Sequence, residues 1–209
     1  MYIIRHAESD ANILERKNQS LESLNMGELG AELSQEGKKQ ATYLSQKLKG
    51  VSFDAIFASD LLRAKHTAEI LKLERNLEIQ TTKLIREIDY GKYRLTYNKV
   101  KNHVREGIAA LEDSKKMKFQ FEDMETEEHA VNRLIIFLKQ VAVRYAGKTV
   151  AIVSHGRVMR ILLIKLGFCL YADLPSGSIE NTGYFIVESN GANFSIKETS
   201  GIYKKSQLQ

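Results

Sequence analysis

Short apolar runs alternate along the chain with segments in which apolar residues recur every three or four positions. The short runs predict buried β-strands, and the longer periodic segments predict amphipathic helices. The predicted strands are 2–4, 53–58, 78–81, 149–153, 184–187 and 194–196. The predicted helices are 34–48, 60–73, 126–145 and 158–166. Strands that alternate with helices indicate an α/β fold, here a three-layer sandwich with a largely parallel central sheet flanked by helices.

Residues 92–125 break this alternation, because they are polar, charged and weakly periodic. We interpret them as a cap insertion over one end of the sheet, within a single domain that spans residues 1–209. Ligands of open α/β sheets bind at the carboxyl ends of the strands. The sequence therefore predicts that the chemistry lies just after Ile4, Ala58 and Val153.

Two histidines and two arginines follow these strand ends. Arg5 and His6 follow the first strand, Arg63 follows the second, and His155 follows the strand that ends at residue 153. Imidazoles flanked by guanidinium groups are poor metal ligands, but they suit a phosphate, which accepts paired hydrogen bonds from arginine and can be attacked by a neutral histidine nitrogen. Either histidine taken alone could equally be a structural hydrogen-bonding residue.

The overall composition is that of a globular protein, with 43% hydrophobic and 27% charged residues. One cysteine excludes an internal disulfide and a multi-cysteine zinc site, and favours the reducing cytoplasm. The net charge of +5 indicates an anionic partner. We expect neither a membrane nor a nucleic acid, because the sequence contains no signal-peptide core, no long apolar stretch and no basic run interleaved with aromatic residues.

Five motifs in a fixed order cover nearly the whole chain. They are Arg5-His6-Ala7-Glu8 with Asn12; Leu33-Ser34 with Gly37, Gln40 and Ala41; Ser59 with Arg63, Ala64, Thr67 and Ala68; Glu87 with Gly91 and Tyr93; and Ser154-His155-Gly156. This set resembles the histidine phosphatase superfamily, in the branch that includes cofactor-dependent phosphoglycerate mutases and fructose-2,6-bisphosphatases.

The resemblance implies a role for each matched residue. His6 would attack phosphorus and become a phosphohistidine, with its other ring nitrogen held by a carbonyl group. Arg5, Arg63 and His155 would surround the transferring phosphoryl oxygens, and Glu87 would protonate the leaving oxygen and then deprotonate water. Further substrate-binding candidates are Asn12, Ser59 and Gly156. Ser59 could instead cap the helix that follows it. No metal and no cofactor are expected.

The leading hypothesis is a metal-independent phosphatase that acts on a small, anionic phosphomonoester. A cofactor-dependent phosphoglycerate mutase is a first alternative. It is disfavoured because mutases of the family carry an Arg-Arg pair in a proline-containing insertion, whereas this chain has no such pair and its one proline is Pro175. A second alternative is a catalytically inactive module that binds phosphate or a protein. The sequence leaves open whether the protein forms a homodimer.

Two departures from the family pattern need a structural answer. Ala7 stands where the family has glycine, and a left-handed backbone at that position would be strained. The family's Glu-Gly after the aromatic residue is replaced by Arg94 and Leu95. Together with Arg86 and Lys92, Arg94 could favour a substrate with a second anionic group, or all three could be solvated loop charges.

The acid is also open to an alternative assignment. Glu8 and Asp89 both lie close in sequence to motif residues and could be mistaken for it. We favour Glu87, because Gly91 and Tyr93 set its register.

Overall fold

The computed structural model describes residues 1–24, 26–72, 75–191 and 193–207. The strands are β1 Tyr2–Arg5, β2 Ala55–Ser59, β3 Ile79–Thr82, β4 Val150–Ser154, β5 Ile179–Ser189 and β6 Phe194–Ile202. The α-helices are α1 Asp10–Arg16, α2 Gln35–Lys47, α3 Leu62–Lys72, α4 Tyr97–Ala109, α5 Asp113–Lys116, α6 Glu127–Arg144 and α7 Gly156–Lys165. No helix among these residues is long and apolar enough to cross a membrane.

The strands form one six-stranded sheet in the order β3-β2-β4-β1-β5-β6. The first four of these strands run parallel, while β5 pairs antiparallel with β1 and with β6. All residues of β2 and β4 are buried, as expected for parallel strands covered by helices on both faces. The predicted α/β fold with a largely parallel sheet flanked by helices is confirmed.

Successive residues of each central strand point to opposite faces of the sheet, and each face has its own apolar core. Ile3 packs into a core with residues of α6 and α7, whereas Ile4 packs into a core with residues of α2 and α3. The first core includes Leu134, Leu138, Val158 and Leu162, and the second includes Leu44, Ala64, Ala68 and Leu71. This alternation along β1 produces the three layers.

Helix α2 fixes the loop that follows β1. Ser34 caps this helix, since its side-chain oxygen accepts a hydrogen bond from the backbone N–H of Gly37 at 2.9 Å. A Cβ atom on Gly37 would lie 1.9 Å from the carbonyl oxygen of Glu8. The first turn of α2 can therefore contact the loop after β1 only because residue 37 has no side chain. Gln40 accepts the N–H of Glu8 at 3.0 Å. The motif at residues 33–41 thus holds the loop that begins at His6.

Several predicted boundaries are moved by the tertiary structure. Strands β5 and β6 are longer than the predicted 184–187 and 194–196, helix α7 begins at Gly156 instead of 158, and α1 was not predicted. Helix α3 begins two residues later than predicted, and the predicted end of that helix, residue 73, lies outside the described residues. The first part of β5 has no apolar alternation in the sequence, because its polar residues contact the loop after β1 instead of a core.

The segment predicted as a weakly periodic cap contains a regular 13-residue helix, α4. Only Val104 and Ile108 of this helix are buried, and with Met124 they form a small separate core. Aromatic residues pack around that core, namely Tyr90, Tyr93, Tyr97, Phe119, Phe121 and Tyr171. The other faces of α4 carry polar residues, which explains why the apolar period is weak in the sequence.

Candidate active site

The carboxyl ends of β1 and β4 bring the two motif histidines together. These strands are parallel neighbours, and Arg5 is in register with Ser154. The backbone N–H of His6 donates to the carbonyl of Ser154 at 3.0 Å, which continues the ladder one residue past β1. The rings of His6 and His155 consequently lie side by side, with centroids 5.1 Å apart.

The hydrogen bonds of His6 define its tautomer. Its Nδ1 lies 2.7 Å from the carbonyl oxygen of Ala7, so Nδ1 carries the proton and donates. Its Nε2 accepts from Nε–H of Arg63 at 3.1 Å, and a guanidinium can only donate. Nε2 is therefore the unprotonated nitrogen. The carbonyl expected to hold the other ring nitrogen is that of Ala7.

Burial lowers the pKa of His6 well below its ordinary value, and the positive charges of Arg63 and Arg5 lower it further. The pKa of His155 is lowered in the same way, first by burial and then by Arg63 and His6. Both imidazoles are thus held neutral at physiological pH. His155 is fully buried, and within the described part of the chain neither of its ring nitrogens has a hydrogen-bond partner.

Arg5 and Arg63 place two guanidinium groups around His6. Arg5 donates through Nη1 to the carbonyl of Ile179, while its buried Nε has no partner among the described residues. A Cβ atom on Gly156 would lie 3.0 Å from that Nε. Glycine at the first turn of α7 therefore lets the Arg5 guanidinium lie directly against the helix start.

Glu87 lies at the amino terminus of α7. Its Oε2 accepts the backbone N–H of Arg157 at 3.1 Å, and its Oε1 accepts those of Val158 at 3.1 Å and Ile88 at 3.0 Å. Amide groups at a helix start carry partial positive charge, so they suit a carboxylate. The three bonds fix the position of this carboxyl group beside Gly156.

The two other acids considered from the sequence have different partners. Glu8 forms an ion pair with Arg16 and accepts the hydroxyl of Ser34 at 2.7 Å, which ties α1 and α2 to the loop. Asp89 is exposed and accepts the backbone N–H of Gly91 at 2.9 Å. Through these contacts Glu8 and Asp89 stabilise the loops that carry them. Glu87 is therefore the remaining candidate for the acid.

Asn12 and Ser59 differ in their placement. Asn12 lines the cavity described below, and its Oδ1 accepts the backbone N–H of Ser9 at the start of α1. Ser59 is fully buried at the end of β2, accepts the N–H of Leu61 at 3.3 Å and does not line the cavity. Because α3 begins only at Leu62, Ser59 is not its N-cap either. The structure thus gives no support for Ser59 as a substrate-binding residue.

The alanine in the first motif is not strained. Among the described residues, the non-glycine residues with positive φ are Asn18, Glu122 and Thr182, so Ala7 is outside the left-handed region. The N–H of Ala7 donates to the side-chain oxygen of Thr67 at 3.0 Å. The threonine of the third motif therefore anchors the loop of the first.

Sequence reasoning missed two residues of β5 that hold His6. Asn181 donates from Nδ2 to the carbonyl of His6 at 3.1 Å, and the backbone N–H of Thr182 lies 3.4 Å from the same oxygen. Thr182 has φ +62°, which is rare for a β-branched residue. No sequence signal pointed to either residue, since the segment precedes the apolar run at 184–187.

A cavity of about 1830 Å³ opens at this edge of the sheet. Arg5, His6, Arg63, Glu87 and Gly156 line its floor, and residues of α4 line the opposite wall. His155 does not reach the cavity surface and lies beside the ring of His6. Nowhere in the described ranges do three His, Cys, Asp or Glu side chains come together as a metal site requires.

The sequence profile of the histidine phosphatase superfamily (branch 1) matches residues 1–200. The chain belongs to this superfamily. Phosphoserine phosphatase 1 of Hydrogenobacter thermophilus is 30% identical over 189 residues, which are 90% of this chain and 85% of the relative. An uncharacterized phosphatase PhoE of Bacillus subtilis is 32% identical over 165 residues, covering 78% of this chain and 75% of the relative.

A solved structure confirms the fold of this histidine phosphatase. The structure of Bacillus stearothermophilus YhfR matches with a TM-score of 0.73 at 23% identity, over 96% of each chain. The family expected from the five motifs is therefore confirmed, and the expectation of a phosphatase agrees with the names of both sequence relatives.

Proposed function

We propose that this protein is a phosphatase that hydrolyses a small, anionic phosphomonoester through a phosphohistidine at Nε2 of His6. The observation that carries the proposal is the hydrogen bonding of this ring. Nδ1–H donates to a carbonyl, and Nε2 is an unprotonated acceptor between guanidinium groups. A neutral nitrogen held beside fixed positive charge is what nucleophilic attack on a phosphoryl group requires.

The reaction proceeds in two steps. In the first, the hydrogen bond from Arg63 to Nε2 of His6 breaks, the freed lone pair attacks phosphorus, the bond from phosphorus to the ester oxygen breaks, and Glu87 gives that oxygen a proton. In the second, water attacks the phosphohistidine, the bond from nitrogen to phosphorus breaks, and Glu87 takes the proton of the water. The products are an alcohol and inorganic phosphate, and both His6 and Glu87 return to their starting states.

Arg5 and Arg63 line the cavity and would act on the phosphoryl oxygens, whereas His155 does not reach the cavity surface and would position the ring of His6. The buried Nε of Arg5 and the ring of His155 have polar atoms without partners in the described chain, and such atoms are rare in folded proteins. A phosphoryl group bound at His6 would supply an acceptor for Nε of Arg5. Fixed positive charge stabilises the transferring group, so we propose that no metal is needed. Asn12 and Gly156 would complete the phosphate-binding surface.

The name of one relative guides the choice of substrates to test. One relative is named phosphoserine phosphatase 1, so a phosphorylated hydroxy acid belongs in the first substrate panel.

The single cysteine guides the proposed location of the protein. Cys169 is the one cysteine of the chain and is half-buried. We place the protein in the cytoplasm on this ground.

The test is hydrolysis of 4-nitrophenyl phosphate in the presence of a chelator. The wild-type protein is expected to release phosphate, and His6→Ala is expected to lower kcat by about 10⁴-fold because the nucleophile is removed. His66→Ala is the matched control. A brief reaction with a ³²P-labelled ester should leave an acid-labile label on the wild-type protein and none on His6→Ala. Full activity of His6→Ala, or a strict need for a divalent metal, would contradict the mechanism.

The mutase alternative is separated by a second assay. Incubation with 3-phosphoglycerate and a bisphosphate primer should release inorganic phosphate without forming 2-phosphoglycerate. Accumulation of 2-phosphoglycerate would show that the protein is a mutase and would contradict the proposed phosphatase activity.

A further inference from the structure

The cavity is far larger than the phosphoryl group that His6 would bind. The phosphoryl-binding residues occupy the floor at the strand ends, whereas Tyr97, Lys101, Val104 and Arg105 of α4 line the wall formed by the cap. The remaining atoms of a phosphomonoester bound with its phosphorus at His6 have space in the part of the cavity that α4 lines. The side chains on that wall decide which esters fit.

The three cations that the sequence suggested for binding a second anionic group already bind other groups of the protein. Arg86 forms a two-pronged ion pair with Asp60, with both nitrogen–oxygen distances at 2.6 Å. Lys92 pairs with Glu122 and does not line the cavity. Arg94 donates to a backbone carbonyl in the loop before α2. All three residues thus have partners within the loops, and Lys92 is also a solvated charge, with 60% of its side chain exposed.

Most other cations of the cavity wall have partners as well. Six of them form ion pairs with acidic side chains or bind backbone carbonyls, namely Arg16, Lys83, Lys116, Arg133, Arg157 and Arg160. Lys101 and Arg105 differ. Within the described residues the side chain of neither makes a hydrogen bond, an ion pair or a ring contact.

Helix α4 itself provides no acidic side chain that could pair with Lys101 or Arg105. They are four residues apart, so they lie next to each other on one face of α4, and like charges at this spacing destabilise a helix. The positions three and four residues away from either hold no acidic residue. The same face is anchored by the buried Val104 and Ile108, which fixes the direction of the pair.

We propose that Lys101 and Arg105 bind a second anionic group of the substrate, so that preferred substrates carry a carboxylate or a further phosphate remote from the phosphoryl group that is hydrolysed. This inference rests on the proposed function. An anion entering the cavity would relieve the repulsion between the two side chains and accept charge-assisted hydrogen bonds from both. The pair thereby acts as a specificity determinant on the cap, away from the reacting atoms.

The test compares three aryl phosphates that differ only opposite the ester group: phenyl phosphate, 4-carboxyphenyl phosphate and 1,4-phenylene bisphosphate. For the wild-type protein we expect kcat/KM to be at least about tenfold higher for one or both of the doubly anionic esters, with the difference in KM. The ester that shows the larger preference identifies carboxylate or phosphate as the group bound.

The decisive variant is Lys101→Gln/Arg105→Gln, which keeps polar side chains of high helix propensity while removing both charges. It should reduce the preference to within about twofold, whereas Lys101→Arg should retain it. Lys99→Gln is the matched control, because Lys99 is exposed on the same helix and does not line the cavity. A wild-type protein without preference, or a Lys99→Gln variant that loses it equally, would overturn the inference.

A binding measurement separates this inference from the proposed function. Calorimetric titration of the three esters into His6→Ala reports binding without turnover. If His6→Ala prefers the doubly anionic esters and its combination with the two glutamine substitutions does not, the inference stands even if the wild-type protein hydrolyses none of them. If the wild-type protein hydrolyses all three with equal kcat/KM and His6→Ala binds them equally, the proposed function stands and this inference falls.

Discussion

At the scale of single residues, the neutral buried state of His6 and His155 couples the stability of the protein to pH. Both have a folded-state pKa well below the ordinary 6.5, because burial and neighbouring arginines oppose protonation. Between the folded pKa and 6.5 the unfolded chain binds more protons than the folded chain. Stability conferred by the neutral rings is therefore complete above pH 6.5 and is lost as pH falls below it.

We expect the urea midpoint of the wild-type protein to fall between pH 7 and pH 5. Each unit by which a folded pKa lies below 6.5 is equivalent to about 1.4 kcal/mol. His6→Asn/His155→Asn should show a smaller decline over the same interval. Glu8 and Glu125 add little there, because their pKa values are lowered below 4.5 and their effect appears at more acidic pH. An equal decline in both proteins would contradict this account.

The sequence could identify residues of this kind but not their contacts. Arg5, His6 and His155 were predictable because a polar side chain directly after a buried strand must lie at the sheet edge. Ser59 follows the same rule, yet its hydroxyl turns inward to the N–H of Leu61. That direction depends on how α3 begins, which a spacing pattern does not contain.

At the scale of elements, α6 holds the segment that carries Glu87. Arg133 of this helix donates to the carbonyls of Leu84 at 2.9 Å, Arg86 at 2.7 Å and Glu87 at 2.9 Å. Its other donors bind Glu125 at 2.8 and 2.9 Å. The side chains of this ion pair are 14% and 11% exposed, so water screens it weakly. Arg133 is thus a positioning residue for the candidate acid.

We expect Arg133→Met to lower the free energy of unfolding by about 3 kcal/mol, because it removes the guanidinium partner of Glu125 and leaves three carbonyls without this donor. At a temperature where the variant stays folded, kcat should fall by about tenfold with little change in KM, since Glu87 is displaced but the phosphate site is not. Arg144→Met, at the exposed end of the same helix, is the control for both measurements. An unaltered kcat in Arg133→Met would leave it a purely structural residue.

Elements were predictable where their apolar residues face a core. Helices α2 and α6 were located within a residue or two, because caps at Ser34 and Thr126 mark where they begin. Strand β5 and helix α4 were underestimated for a shared reason. Many of their remaining residues face the active-site loop, the cavity or solvent and are polar, and polar positions carry no periodic signal.

At the scale of the whole molecule, the cap and the sheet have separate apolar cores of unequal size. Among the described residues, Val104, Ile108 and Met124 are the buried residues of the cap core, whereas 23 buried residues form the larger core beside the sheet. Segments that bury little apolar surface open at lower free energy than the main core. We therefore expect the cap helix α4 to open more easily than the helices of the main core.

Native-state hydrogen exchange tests this inequality. We expect the amides of α4 to exchange with an opening free energy at least about 2 kcal/mol below those of α6, a helix of the main core. Helix α6 is the matched control because it is also a helix and also borders the cavity. Equal opening free energies would mean that cap and sheet unfold as one unit.

The sequence by itself determined the fold class and the family, and it predicted His6, Arg5, Arg63 and His155 as site residues, because each depends on residue type and on order along the chain. The tertiary structure alone decided which nitrogen of His6 is unprotonated, which cations have partners and which are free. These properties depend on contacts between elements distant in sequence. Arg63 meets His6 across 57 positions, and Arg133 meets Glu87 across 46. Such pairings arise only when the helices pack onto the sheet.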